Sequence, residues 1–506
     1  MEAWSFIIVS LCISALVSSI FNLFTKKSPP PPGPPALPLL GNLIWLRRPV
    51  SELESILRSL RTRYGPLMML SIGPRKLVFI ASNSLAHRAL IQQGGVFSDR
   101  PAAPFTSKIS NRTLKEISSA TYGPTWRLLR RNLSQGILHP ARVKSYSSSR
   151  RWVLSMLVDS LLDESKSGIS VRVMDHFQYA MFCLLVNMCF GDKLQERQIK
   201  KIESVQRGLL LGFRRFNVLN FWPALGKLIF RKRWKELIRL RQEQENMLLP
   251  LIRSRLKRIS KQHDAAELAY VDTLVDLNLP EENRKLDEPE MMRLCSEFLA
   301  AGTDTTSTAL QWIMANLVKY PGIQTKLYDE IISITGSSNG SSRPRMVQEE
   351  DLHKMPYLKA IVLEALRRHP PAHFVLPHKV RQDVELDGYV IPRDSTVNFM
   401  VADMGWDPKV WEDPMEFKPE RFLATSSGEA FDITGSREIK MMPFGAGRRI
   451  CPGLALALMH LEYFVANLIR NFVWIPVEGD DVDLTEKQEF TTVMENPLRA
   501  RITPRT

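Results

Sequence analysis

Of the five cysteines in this chain of 506 residues, Cys451 has the neighbours best suited to chemistry. It stands in MPFGAGRRICPG, Met442 to Gly453, among three glycines and two arginines, and the apolar run PGLALALMHLEYFVANLIRNF follows at once. That run reads as a helix, whose start offers free N–H groups and the positive end of a dipole, and both favour a thiolate over a thiol. A thiolate there can ligate a metal. Gly447 and Gly453 allow the backbone to curl round the sulfur and a flat ligand to approach, while Arg449 provides a fixed charge for a carboxylate.

Two other groups break or exploit local rules. In AAGTDTTST, Ala300 to Thr308, a glycine, an aspartate and four threonines are poor helix formers. Yet they fall at the centre of a helix predicted from near Pro289 to Tyr320, where Pro321 and Gly322 stop it. A broken rule inside a long element marks function; the alternative is close helix packing against small residues. Glu364 and Arg367 share a face of a second predicted helix, Asp351 to Pro371, ended by a double proline. On an exposed helix such a pair contributes only ~0.2–0.5 kcal/mol.

Rival readings of the cysteine turn are weaker. No GK[ST] follows it, CxxCH is absent, and His460 lies nine residues on along a helix, pointing away from the turn. A merely buried cysteine is the plain alternative. A thiolate beside fixed cations and close glycine backbone suits haem, whose iron takes an axial thiolate and whose propionates need cationic partners. The cysteines are odd in number, contain no CxxC and lie in apolar surroundings, which argues against a disulfide framework or a zinc ribbon and for a reducing compartment.

The elements that must position these residues are mainly helical from about residue 43. Strand-like pieces lie near Leu67 to Ser82 and Val384 to Met400, the second with a DG turn, and a weakly ordered loop is expected at Ser333 to Pro344. The composition, 44% apolar and 24% charged, is that of a globular protein. The net charge of +15 is concentrated in residues 193–261, which hold 19 Lys/Arg against 5 Asp/Glu. Nucleic acid is one partner for such a block; the apolar stretch Phe216 to Phe230 inside it suits an anionic membrane surface better, and a solvated helical face is the plain reading.

Residues 3 to 24 are uncharged and as a helix would span ~33 Å, enough for a bilayer. Only Glu2 precedes them in charge and Lys26 and Lys27 follow, so the run reads as an anchor with the body in the cytosol. Sequons at Asn111, Asn132 and Asn339 would report a lumenal body through glycan. Three segments are expected: an anchor, 1–27; a stiff proline-rich hinge, 28–42; and a body, 43–506.

AGTDTT, ExxR (Glu364 to Arg367), FKPERF (Phe417 to Phe422) and FGAGRRICPG occur in that order. Together with the PPGPPALPLLGN hinge and WRLLR (Trp126 to Arg130), they make the whole chain resemble the cytochrome P-450 superfamily of haem-thiolate monooxygenases. FSDRPAAP and ATYGPTWRLLRRNL are similar to plant A-type enzymes of family 89, subfamily A. The resemblance implies a mainly α fold with small β-sheets, preceded by an N-terminal transmembrane helix, in which the body is the haem-thiolate catalytic domain. It also implies haem b, with Cys451 as axial thiolate and metal ligand, Phe444 packed near the sulfur, and Trp126, Arg130, His378 and Arg449 at the propionates. Glu364, Arg367 and Arg421 would form a buried network on the thiolate side. Asp304 and Thr305 would carry protons so that the O–O bond breaks heterolytically, above which substrate would lie near Ala301 and Gly302.

The partners so implied are membrane lipid, a small hydrophobic substrate and NADPH-cytochrome P-450 reductase, docking on Arg127, Arg131 and Arg448, with no nucleic acid. The setting is the endoplasmic reticulum membrane, single-pass. Rivals are a haem-thiolate enzyme that rearranges hydroperoxides, which would usually lack the Asp304 and Thr305 pair, and a non-enzymatic, membrane-tethered basic protein. Candidate substrate-lining segments are Pro101 to Ser118, Leu209 to Phe216, Glu297 to Ala301, His373 to Leu376 and Phe490 to Met494. The substrates the subfamily resemblance implies are linear tetrapyrroles from chlorophyll breakdown, with fatty acids or other hydrophobic metabolites as alternatives.

Overall fold

A computed structural model describes residues 28–35, 42, 50–103, 106, 116–166, 168, 170–191, 193–220, 223–259, 268–336, 345–423, 430–479 and 481–505. The expected anchor, Asn111, Asn339 and residues 337–344 of the expected loop lie outside them. Asn132 lies inside a helix with its Nδ2 bonded to Thr273 Oγ1 at 2.9 Å, which makes it a poor reporter of sidedness.

The long helices are α1 (Val50–Tyr64), α2 (Pro124–Gly136), α3 (Ser147–Ser165), α4 (Val173–Phe190), α5 (Glu196–Phe216), α6 (Arg231–Ile259), α7 (Glu288–Lys319), α8 (Pro321–Thr335), α9 (Pro356–Arg368) and α10 (Leu454–Asn471). α7 is the axis of the molecule. Asp287 caps it in a reciprocal box with Glu290, Pro289 sits in its first turn where a missing N–H costs nothing, and Tyr320 ends it. α4 packs along its length. Among the described residues α4 alone is long and apolar enough to cross a membrane, but it is mostly buried inside the protein. Its side chains join Trp312, Ile313 and Leu317 of α7 in the main core.

The poor helix formers of AAGTDTTST are accommodated in two ways. A Cβ on Gly302 would lie 2.8 Å from Leu185 Cδ1, so this glycine serves close packing of α7 on α4. The hydroxyls of Thr303, Thr305 and Ser307 donate to the carbonyls four residues back, at 2.7–2.8 Å, which satisfies them without leaving the helix. The second helix departs from expectation. Residues Glu349–Lys354 form a 3₁₀ turn and α9 starts only at Pro356, because a proline disfavours the α conformation in the residue before it; Met355 has φ −110° and ψ 75°.

A four-stranded sheet flanks the helices. Its strands are β1 (Leu67–Ile72), β2 (Arg75–Ile80), β3 (His378–Lys379) and β4 (Thr396–Phe399), in the order β1-β2-β4-β3 with only β2 and β4 parallel. The expected DG turn joins 384–386 to 389–391, with Asp387 and Gly388 both at positive φ. The hairpin of β5 (Glu486–Gln488) and β6 (Thr492–Met494) is tied to α7 by Trp312 Nε1, which donates to Thr492 O. The described prolines of the hinge are not a free spacer: Met69 N–H donates to Pro32 O and Val390 N–H to Pro29 O. A Cβ on Gly33 would stand 1.9 Å from Met69 O, so only glycine fits there.

The basic segment is α5, α6 and the short helix Pro223–Ile229 between them, where Leu228 is 75% and Ile229 68% exposed beside Lys227 and Arg231.

Candidate active site

The cysteine turn is wound by its own backbone. Gly445 and Gly447 have φ near +70°, the region that favours glycine, and Cys451 N–H donates to Phe444 O at 2.8 Å. A Cβ on Gly447 would lie 2.2 Å from Leu90 O, so this glycine answers to a protein carbonyl rather than to a ligand; Gly453, at φ −84°, needs no special freedom. Gly445, not Gly453, is the second conformational glycine.

The helix-start argument for a free thiolate fails in detail. α10 begins three residues after Cys451, and although the thiol keeps an exposed side, the atoms crowding it desolvate a charge. Burial pushes the Cys451 thiol up from its ordinary value, against the opposing pull of a Gly453 N–H and the Arg130 guanidinium. A coordinated metal cation reverses that balance and deprotonates a thiol outright.

Around the turn lies a cluster of guanidinium groups. Arg449 donates to Ser98 O (2.8 Å), Ile117 O (3.2 Å) and Ala120 O (2.7 Å), and stacks 4.3 Å from the centre of the Trp126 ring. Trp126 Nε1 donates to Ile117 O at 3.1 Å. Arg130 donates to Ile450 O. Arg100, which the sequence reading did not single out, donates to Ser118 O, Leu376 O and Pro377 O. The side chains meet neutral carbonyls. Among the described residues no carboxylate forms an ion pair with Arg100, Arg130 or Arg449, and Asp99 Oδ1 is occupied by the N–H groups of Arg100 and Tyr122. Burial, with Arg449 adding repulsion, pulls Arg100 down to about 9, and burial pulls Arg449 down to about 10.

His378 belongs to the same cluster. Its Nδ1 lies 2.6 Å from Phe97 O, and since a carbonyl only accepts, Nδ1 carries the proton. Burial, then Arg100, pushes the imidazole down to about 3. A neutral ring with its proton so committed cannot donate to a carboxylate, so the propionate role expected of His378 requires it to gain a proton. The cluster as a whole carries more positive than negative charge beside an open thiol, with Asp99 the one carboxylate whose charge acts on Arg100 and Arg449 and none in an ion pair with them. It fits a flat dianionic group whose metal takes the sulfur.

On the other side, Ala301 is exposed and Thr305 Oγ1 donates to its carbonyl. Asp304 turns instead towards α4 and α5, where Gln178 Nε2 donates to its Oδ1 at 3.3 Å and Arg207 donates to Gln178. A cavity of about 10 Å³, room for a single water, lies among Gln178, Glu203, Arg207 and Asp304. Burial pushes the Asp304 carboxyl up, with Arg207 pulling the other way. Asp304 and Thr305 are thus sequence neighbours on different faces. Their partners Gln178 and Arg207 carry no local signal of this contact.

Glu364 and Arg367 are fully buried, in a two-pronged pair at 2.7 and 2.8 Å, and Arg421 and Lys418 N–H also donate to Glu364. The surface-pair reading is therefore overturned. Arg127 and Arg448 lie over the Tyr122 ring and expose their charge, with Arg131 exposed on the same helix as Arg127. Of the candidate lining segments, Phe490 and Leu376 are exposed, whereas His373 is buried between Glu54 and Glu486 and lines nothing. Most of Pro101 to Ser118 lies outside the described residues.

A thiol set in a glycine turn beside buried and half-buried guanidinium groups, in a chain whose long axial helix has a hydroxyl-rich centre, fits a haem-thiolate protein. The family profile described as Cytochrome P450 matches residues 31–503, and the chain belongs to that family, whose members bind haem through a cysteine thiolate and act as monooxygenases. It is 48% identical to Cytochrome P450 89A9 of Arabidopsis thaliana over 99% of this chain and 98% of that protein. It is 31% identical to Cytochrome P450 736A117 of Prunus mume (94% and 90%) and 30% identical to geraniol 8-hydroxylase of Catharanthus roseus (98% of each). Plant members of the family generally take electrons from a reductase and act on small hydrophobic molecules.

Proposed function

We propose that the chain is a membrane-anchored monooxygenase that oxidises a hydrophobic plant metabolite with electrons passed from NADPH by a reductase, and that Cys451 is its axial thiolate. The observation that carries this reading is the unpaired positive charge of Arg100, Arg130 and Arg449 beside the open Cys451 thiol. When bound there, haem supplies oxygen activation at a thiolate-ligated iron.

The protein's own residues do the rest. Arg100, Arg130 and Arg449 would hold the propionates by charge, Trp126 fixes the plane of Arg449, and Phe444 would pack against the haem near the sulfur. Gln178, backed by Arg207, holds Asp304 Oδ1 towards α4 and α5, where the carboxyl would take protons from solvent and would have to turn to pass them on; Thr305 Oγ1, free to leave its bond to Ala301 O, would orient them on the open side of α7. Arg127, Arg131 and Arg448 form the face for an acidic reductase. Leu228 and Ile229, apolar tips in a basic segment, support a second contact with an anionic membrane besides the expected anchor at 1–27 and hinge at 28–42. The site then lies on the cytosolic side of the endoplasmic reticulum. Linear tetrapyrroles from chlorophyll breakdown are the first substrates to test, followed by fatty acids.

The reduced, carbon-monoxide-bound protein is expected to show a strongly red-shifted Soret band that Cys451→Ala abolishes. Product formation should then need both NADPH and reductase. Folded protein that stays colourless with haemin, or turnover of a hydroperoxide without reductase, would overturn the reading.

A further inference from the structure

Glu297 sits in α7 one turn before Ala301. Its two oxygens are spent on consecutive backbone groups: Ile117 N–H donates to Oε2 at 2.8 Å and Ser118 N–H to Oε1 at 2.7 Å. The carbonyls of that short stretch are the ones the cofactor cluster leans on. Ile117 O accepts from Trp126 and Arg449, Ser118 O from Arg100, and Ala120 O from Arg449. We propose that Glu297 is a positioning residue for haem, clamping residues 117–118 from the N–H side so that their carbonyls aim Trp126, Arg100 and Arg449 at the propionates.

A carboxylate in this place is costly. Burial, then repulsion from Glu116, pushes Glu297 up to about 7, against the two N–H groups that favour its charge. Both oxygens accept from this one stretch of chain, with the Ser118 side chain adding to the two N–H groups, so the carboxylate is engaged in holding backbone. Hydrogen bonds to a charged acceptor are the stronger kind. A loop segment has no helix or sheet ladder of its own to fix its carbonyls, so their direction depends on what grips the chain beside them. In this arrangement the long helix on the substrate side sets the geometry of the cations that hold the cofactor. The two halves of the site are coupled through two peptide groups.

The inference rests on the haem reading, and the test separates the two. Haem-loaded wild type, Glu297→Ala and Glu297→Gln are compared for the rate of haem transfer to excess apomyoglobin, the carbon-monoxide Soret band and the propionate bending modes in resonance Raman spectra. Glu290→Gln, which weakens the cap of the same helix without touching residues 117–120, is the control for general destabilisation. Glu297→Ala should release haem roughly tenfold faster than wild type, with shifted propionate modes and the thiolate Soret band retained. Glu297→Gln, which keeps one acceptor oxygen, should fall between, and it carries the test should the alanine variant not fold. Equal release rates for wild type and both Glu297 variants, or equal acceleration by Glu290→Gln, would overturn the role of Glu297 alone. Wild-type protein that takes up no haem would overturn both readings.

Discussion

Two groups of arginines in this protein are held out of solvent on opposite terms. In the Glu364 network each prong of Arg367 meets an acceptor: both oxygens of Glu364, and the carbonyls of Gly405, Pro414 and Glu416. In the cluster beside Cys451, Arg100, Arg130 and Arg449 are held by carbonyls with no carboxylate paired to any of them among the described residues. The first region is complete as it stands, since Arg367 meets a carboxylate with two prongs and the part-exposed Arg421 shares that carboxylate. The second is complete in geometry and incomplete in charge, which is what a site for an anionic cofactor requires. Burial alone therefore does not tell structural charge from functional charge, and a missing counter-charge marks a site only where several such cations converge beside a ligand group, as here and not at the lone buried Arg470.

The sharpest way to break this comparison is to remove one partner of the complete network. Glu364→Ala leaves Arg367 and Arg421 buried without their anion, at a cost of ~3–5 kcal/mol, against a total stability of about 5–15 kcal/mol for a folded domain. Soluble yield should collapse. Arg367→Lys, made alone, should also destabilise the fold, because a single ammonium cannot span both oxygens of Glu364 and three carbonyls. Either variant melting with the wild-type midpoint would show that the network is not what holds this side of the fold.

A smaller effect should come from His378, at the edge of the incomplete cluster. Its folded value, about 3, lies below the ordinary 6.5 because of burial and then the Arg100 charge. Between those values the unfolded chain binds a proton that the folded protein refuses. Stability is therefore retained above pH 6.5 and lost as pH falls, by up to about 1.4 kcal/mol per pH unit. His369 and His460 are also pushed down, mainly by burial, and act in the same direction. His378→Asn keeps a donor for Phe97 O and removes the titration, so the difference between wild type and variant isolates this group. Denaturant midpoints at pH 7, 6 and 5 should diverge in haem-depleted protein and converge once haem brings carboxylates to the cluster. The same divergence in both states would mean that no anion arrives there.

What the sequence made legible follows the range of the interactions. Cys451 could be singled out because its glycines, arginines and following helix are all within a few residues, and α7 because Pro289, Pro321 and Gly322 mark its ends locally. Glu364 looked like a surface pair because its burial is made by residues 405–421, which spacing along a helix cannot reveal. Arg100 was passed over in FSDRPAAP because its partners, Leu376 and Pro377, are more than 270 residues away. The pairing of Asp304 with Gln178 needed α4 and α7 to pack first. Even at Cys451, where the Gly453 N–H and Arg130 favour a thiolate locally, crowding by the rest of the fold pushes the thiol up.

Arg130 offers the finest distinction between the two regions, since it contributes charge to the cluster and only one hydrogen bond to the fold. Arg130→Gln preserves an N–H for Ile450 O and removes the charge, which burial already disfavours and only Cys451 favours. A surface-like cost to the haem-depleted protein follows, within about 0.5 kcal/mol of wild type. Haem should nonetheless be lost roughly tenfold faster, the worth of one charge-assisted contact to a carboxylate. The same change at Arg367 cannot separate these quantities, because there the charge is already neutralised by the fold. Thermal melts of the haem-depleted protein, set beside haem transfer rates from the loaded one, test the distinction. Loss of stability and of haem in proportion would make Arg130 a structural arginine like Arg367, and the incomplete cluster would shrink to Arg100 and Arg449.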